Sequence, residues 1–461
     1  MTKMNKVSAL VLITILIILP FLNLPVVSSH LYEKSDDFSE ICQTVNLSKR
    51  KYEFVIITKE EFIDSDFKRL INHKSKYINA TIVSLEDITS NSSFWVNGSY
   101  GDASNISEGN PWITNGKEVT KNFHIFNDTQ AKIRNFIRYA YGNWDTKYVL
   151  LGGDDEIIPA RFFHLNNVRW FSGRYFMRLS PDIASDLYFS SLNNTWNNDF
   201  DNYFGETSKY STEDEADFIS EVFVGRSPIS NKYDISIFVD KVISFETEQK
   251  PNKILLHRSG INRINFPNTK IIPEKCAEYI TNDFKISRLY RVRNKKEWID
   301  AFKEKLIVLH VGCGTRTFYF IENRILRRIR FTIRDIYKMS NTFYPVHISI
   351  SCKIGDFVDN NKEDCLAEQL LLCPSAGPSA CIINTHYGFS TWWNAHKYSG
   401  DFIEKMFYEI FEKKTGNLGK IVRNCKQYFL DEISNDIGYR WCFYSINLLG
   451  DPEMSLFKTR N

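Results

Sequence analysis

The sequence predicts an α/β fold with mainly parallel sheets covered by helices on both faces. Three observations predict it. Short apolar runs alternate with amphipathic segments from residue 51 to residue 414. The alternation runs through two cycles, separated by a polar break at 247–252 (TEQKPN). The composition is that of ordinary globular domains, 43% hydrophobic and 25% charged. A chain of 461 residues is long enough for two or three domains with full cores. Lys and Arg total 58 against 55 Asp and Glu, a net charge of +3 that is too even for a nucleic-acid-binding surface. The 15% aromatic content suits large cores or clefts.

In the first cycle, KYEFVIITKEEF (51–62) and YINATIVSL (77–85) read as strands. Residues 86–125, rich in Ser, Asn and Gly, read as a long surface loop. Ile133, Phe136, Ile137, Tyr139 and Ala140 recur at helical spacing within 129–144. KYVLLGGDDEIIPAR (147–161) is a buried strand ending in Gly-Gly-Asp-Asp, where Asp154 and Asp155 either cap the next segment or line a basic-substrate pocket. FISEVFVGRSPI (218–229) is a strand and YDISIFVDKVISFE (233–246) an amphipathic helix.

The second cycle opens with the strand NKILLHRSG (252–260) and the helix WIDAFKEK (298–305). LIVLHVGCG (306–314) is an apolar strand ending in a Gly-rich turn. Arg324, Arg327, Arg328, Arg330 and Arg334 read as a solvated helix face, with anion binding as the alternative. HISISCKIGDF (347–357) is a strand ending at Cys352, followed by a helix at 364–372. SACIINTHYG (379–388) is a strand, and FIEKMFYEIFEKK (402–414) a helix.

The N-terminus reads as an export signal. Lys3 and Lys6 precede an apolar run over 7–22, and Val27-Ser28-Ser29 offers a cleavage point before His30. If uncleaved, residues 7–27 would anchor the chain in a membrane. Residues 1–29 are thus signal or anchor, and 30–49 an extension. Sequons at Asn46, Asn79, Asn91, Asn97, Asn105, Asn127 and Asn193 agree with a secreted or extracytoplasmic location. The nine cysteines contain no CxxC pair, which argues against a zinc ribbon or a thioredoxin motif.

Reactive groups in open α/β sheets collect at the carboxyl ends of strands. Three strand ends stand out: Gly312-Cys313-Gly314, Cys352 and His386. Glycines beside residue 313 allow a sharp turn and close approach of backbone to ligand. Cys352 is a candidate nucleophile, against the reading of a small buried hydrophobe. In Asn198, Asp199, Asp201 and Glu206, closely spaced oxygens suit Ca²⁺, against a solvated turn. Trp392 and Trp393 either wall a substrate site or pack.

Several segments, in order, resemble gingipain-type cysteine peptidases. YVLLGGDDEIIPARF (148–162), SDLYF (185–189), EVFVGRSPISNKYDISIFVDKVISFE (221–246), HVGCGTRTF (310–318), SISCKIGDF (349–357) and INLLGDPEMSLF (446–457) carry the resemblance. It implies two side-by-side caspase-like subdomains, 50–250 and a catalytic 251–461. It implies an exported cysteine endopeptidase acting on protein or peptide substrates, with Cys352 as nucleophile, Glu221 as the acid that orients the catalytic histidine, and no required cofactor. Backbone amides around Gly312 and Gly314 would stabilise the oxyanion. The family's general base is the histidine of Gly-His-Gly, and Cys313 stands there instead. A thiol is no substitute for imidazole as a proton shuttle. His310 and His347 face away from the cysteines in regular strands, and His396 lies in a loop, so His386 is the best-placed replacement. The alternative function is an impaired pseudo-peptidase that binds peptides or a partner. If the fold holds, Cys313 and Cys352 face each other, which leaves a disulfide or a two-thiolate metal site open.

Overall fold

The computed structural model describes residues 51–101, 127–165, 168–171, 176–179, 181–197, 203–206, 214, 216–261, 268–358 and 363–458, with two short strands at Ile113–Thr114 and Lys117–Glu118. The signal or anchor segment, Cys42, and the Ca²⁺ candidates Asn198, Asp199 and Asp201 lie outside the described residues.

A ten-stranded sheet organises the chain. Its strands are β1 (Phe54–Thr58), β2 (Ala80–Ser84), β3 (Tyr148–Gly152), β4 (Phe223–Ser227), β5 (Lys253–Arg258), β6 (Lys285–Leu289), β7 (Ile307–Val311), β8 (Val346–Ser349), β9 (Ala380–Asn384) and β10 (Ile446–Leu449). Their order in the sheet is β6-β5-β7-β8-β9-β10-β4-β3-β1-β2. All neighbours are parallel except β9 and β10. That antiparallel step reverses the strand direction. The carboxyl ends of β7, β8 and β9 therefore share one sheet edge with the amino ends of β10 and β4. Strands β1, β3, β7 and β9 are buried along their whole length, as continuous Val/Ile/Leu runs require under two covered faces.

The flanking helices used below are α1 (Phe67–Lys74), α2 (Thr129–Trp144), α3 (Lys232–Thr247), α4 (Ile271–Tyr279), α5 (Lys295–Phe302), α6 (Leu366–Leu371), α7 (Ser399–Phe411), α8 (Leu418–Gln427) and α9 (Ile437–Ser445). Asp128 caps α2 by accepting from the Ala131 amide, and Asp145 ends it in the left-handed conformation. Asn231 caps α3 through the amides of Tyr233 and Asp234. Trp298 and Phe302 of α5 join Leu366 and Leu370 of α6 in one core with Val308, Cys381 and Ile383. Each fully buried aliphatic side chain there contributes about 1.5–3 kcal/mol.

The closing segment has a structural task. Fully buried Lys74 ends α1 and meets Glu246 of α3 at 2.8 Å, Asp451 at 2.7 Å and Glu453 at 2.8 Å. The Gly-Asp-Pro-Glu sequence after β10 thus ties the chain's last turn to its first helix.

Two expectations are corrected. The basic cluster at 324–334 is not a helix face. Phe318–Arg324 and Arg327–Thr332 form an antiparallel hairpin, in which alternate side chains such as Tyr319 and Phe331 turn into the core. The loop expected from residue 86 begins later, because Ser84 caps a short helix at Leu85–Ser90 through the Asp87 amide.

Candidate active site

Strand β8 ends at Ser349, and Cys352 sits in the turn that follows it. His310 of β7 pairs with Ser349 of β8, so Cys313 and Cys352 each lie three residues beyond the same register point. Both are only partly covered, and their thiols are close enough to shift each other's acidity. The structure therefore brings the two predicted positions together.

The pair divides its protons unequally. Hydrogen bonding from Cys313 is the largest influence that holds the Cys352 thiol low, at about 7. The backbone amides of Gly388, Gly314 and Cys352 act in the same direction, while burial opposes them. The same contact raises Cys313, and burial adds to it. Cys352 is thus the more acidic thiol of the pair and Cys313 the one that keeps its proton longer.

The surrounding backbone fixes this arrangement. The Lys353 amide donates to the His386 carbonyl at 2.9 Å, and the Gly355 amide to the Asn384 carbonyl at 3.1 Å. Asn384 Nδ2 donates to the Ile350 carbonyl at 3.0 Å. Lys353 itself is left-handed, with φ of 55°. A β-carbon at Gly388 would collide with the Ile350 carbonyl, so only glycine lets the 386–388 loop approach the Cys352 turn this closely. On the other side, the Phe320 amide donates to the Cys313 carbonyl at 2.9 Å. Arg316 clamps the segment after Cys352 by donating to the carbonyls of Asp356, Val358 and Glu363.

The histidines are placed as follows. His310 is fully buried, its Nδ1 between the hydroxyls of Ser349 (3.0 Å) and Ser351 (3.1 Å) and its Nε2 donating to the Phe320 carbonyl at 3.1 Å. His347 Nδ1 lies 3.1 Å from the Val308 carbonyl. Burial holds both rings neutral, His347 at about 4. Neither touches the cysteines, as the strand alternation predicted. His396 bridges Asp401 (2.8 Å) and Glu404 (2.7 Å) and is not part of the site.

His386 follows β9, the strand beside β8, but its imidazole makes no hydrogen bond to Cys352. The ring packs edge-on against Tyr387 and Trp441, and its Nδ1 is buried with no partner among the described residues. Burial, assisted by the Lys353 cation, pushes it down to about 3.

Glu221 lies just before β4 on the same sheet edge, three strand steps from β8, or about 14 Å. Its carboxylate accepts from the Leu192 amide at 2.7 Å and from Asn193 Nδ2 at 2.7 Å. Burial raises it. It orients no histidine here. Glu206, from the Ca²⁺ loop, is buried, and its amide donates to Asp214 at 2.9 Å. Asp154 and Asp155 accept from the amides of Asp155 and Ala160, so they act as caps. Trp392 and Trp393 are exposed.

Sequence reasoning missed the Gly388 amide, the Arg316 clamp and the Ser349–His310–Ser351 bracket. Gly388, two residues after the flagged His386, was the legible signal among them.

The profile of Peptidase family C25 matches residues 47–457. The chain belongs to peptidase family C25. The fold is that of the Arg-specific cysteine proteinase gingipain R, at 18% identity and a TM-score of 0.58, over 88% of this chain and 78% of that one. The complex of RgpB pro- and mature domains from Porphyromonas gingivalis matches at 18% identity and 0.58, over 87% and 79%. A further solved structure, described only as a protease, matches at 12% identity and 0.57, over 90% and 80%. No curated protein matches the sequence. The family match covers both Cys313 and Cys352. Among the described residues, no helix is long and apolar enough to cross a membrane.

Proposed function

We propose that this C25 member is an exported cysteine endopeptidase in which Cys352 attacks the scissile carbonyl as a thiolate formed without a histidine. What supports the reading is the placing of Cys313 and Cys352 three residues past one register pair, with the thiol of Cys313 and the amides of Gly314 and Gly388 favouring ionisation of Cys352. In a histidine-assisted enzyme, the imidazole both removes the thiol proton and returns it to the leaving amine. Here the S–H of Cys313 and the amides of Gly314 and Gly388 favour the thiolate directly. On this reading the Gly314 amide also donates to the substrate oxygen as charge develops there. The first half of the imidazole's work is thereby replaced.

The second half is weaker. Leaving-group protonation falls to His386, whose Nδ1 is the unpartnered polar atom nearest in sequence to the Gly388 amide. A ring held near 3 is almost wholly neutral at neutral pH, so it supplies few protons. Acylation by substrates with good leaving groups is accordingly favoured over amide cleavage.

The test is digestion of an unfolded protein substrate under reducing conditions, read by peptide mass. Internal cleavage that disappears in Cys352→Ala is expected. Peptides that bind but stay uncut, by the wild type and by Cys313→His alike, would overturn hydrolysis and leave a binding role.

A further inference from the structure

We propose that Cys313 and Cys352 form a two-thiol exchange centre that reacts with low-molecular-weight disulfides and closes into a reversible Cys313–Cys352 disulfide. The proposal shares Cys352 with the hydrolytic reading but does not depend on it.

Three observations carry it. First, the two cysteines stand at equivalent places three residues past the His310–Ser349 pair, and their thiols influence each other. The two strands they follow lie about 4.8 Å apart where they pair, within the range of about 4.4–6.8 Å between α-carbons that a disulfide needs. Closure therefore needs no change in strand pairing. Second, the roles are asymmetric. One sulfur is a stabilised thiolate suited to attack, and the other keeps its proton beside it, as a resolving thiol does. Third, the pair is chemically singled out. Cys276, Cys365, Cys373, Cys381, Cys425 and Cys442 are all buried, whereas Cys313 and Cys352 reach solvent. Burial pushes the Cys276, Cys365, Cys381, Cys425 and Cys442 thiols up, away from thiolate formation.

The exchange balances in two displacements. The Cys352 thiolate attacks one sulfur of a disulfide R–S–S–R. The old S–S bond breaks, a mixed disulfide forms on Cys352, and one RS⁻ departs to be protonated by solvent. Cys313 then gives its proton to solvent and attacks the Cys352 sulfur. The mixed disulfide breaks, the Cys313–Cys352 bond forms, and the second RS⁻ leaves. Two protein thiols are oxidised, and one small disulfide is reduced to two thiols. In the closed form Cys352 holds no free thiolate, so the hydrolytic centre is shut until a thiol reopens it.

The experiment uses the full chain, reduced, freed of reductant without oxygen, and mixed with defined ratios of oxidised to reduced glutathione. Samples are acid-quenched, blocked with N-ethylmaleimide and mapped by peptide mass. The wild type is expected to accumulate the Cys313–Cys352 linked peptide, with glutathione on Cys352 only in passing. Cys313→Ser is expected to trap glutathione on Cys352, and Cys352→Ser to show neither product. A persistent glutathione adduct in the wild type, absence of reaction at both positions, or earlier oxidation of the buried cysteines would each overturn the proposal. Failure of peptide cleavage by the reduced protein sinks only the hydrolytic reading, since linkage is read by mass and needs no substrate.

Discussion

Cys313 and Cys352 stand at the same offset past a single register pair, just beyond the ends of adjacent parallel strands, and their thiols shift each other's acidity in opposite directions. The family resemblance would put an imidazole facing a thiol here. On the proposed reading, two thiols facing each other keep the nucleophile's activation and lose most of the proton return. What the site does follows from that imbalance.

Leaving-group dependence is the first consequence. An activated ester needs no protonation to depart, whereas an amine does. The wild type should acylate from a p-nitrophenyl ester while cleaving the matching p-nitroanilide far more slowly. Cys313→His restores the imidazole and should raise anilide turnover by about 10²–10⁴, the usual worth of positioned acid–base catalysis. Steady-state rates on the two substrates check this, and equal gains on both would contradict it.

Gly388 sets the geometry of the thiolate. In Gly388→Ala the new methyl meets the Ile350 carbonyl, so the 386–388 loop must withdraw and take its amide off the Cys352 sulfur. Slower alkylation of Cys352 at neutral pH is expected, by several-fold, with the fold's circular dichroism retained.

Lys74 is expected to matter for stability alone. Removing it in Lys74→Met leaves Glu246, Asp451 and Glu453 buried without their shared cation. A loss of about 3–5 kcal/mol is expected, since an unpaired buried charge costs more than the pair contributed. Denaturant unfolding measures it, and a loss below about 1 kcal/mol would contradict the burial argument.

Asp154 and Glu368 are buried carboxyls that influence each other's ionisation. Burial raises both, Asp154 to about 6 and Glu368 well above its usual range. A carboxyl raised in the folded state holds a proton that the unfolded chain releases. Stability is therefore lost as pH climbs from about 4, the unfolded value, through the folded values. Glu368→Gln keeps a donor for Asp154 and an acceptor for the Cys365 amide without the ionisable proton. It should be more stable than wild type at pH 7–8, by about 1 kcal/mol or more, and the gain should fade as pH falls toward 4. Thermal melts across that range check both parts.

Much of this was legible beforehand. The helix at 129–144 announced itself by periodicity, and β1, β3, β7 and β9 by their short, strongly apolar runs. Cys313 and Cys352 were legible as strand ends, and as facing positions only through the family resemblance. The hairpin at 318–332 was not, since four arginines in an alternating strand look like one helix face when counted as charge. Strand β6 has no apolar run, because it is an edge strand with half its side chains in water. The fate of Glu221 was equally hidden. Its partners, Leu192 and Asn193, come from a loop with no local signal linking it to β4.

The most direct measurement is the pH dependence of Cys352 alkylation by iodoacetamide in the reduced protein, wild type against Cys313→Ala. The wild-type rate should rise through pH about 7, where the pair gives up its first proton. Without the Cys313 donor the curve should move to higher pH, and labelling at pH 7 should fall on the order of tenfold. Superimposable curves would contradict the claim that one thiol activates the other.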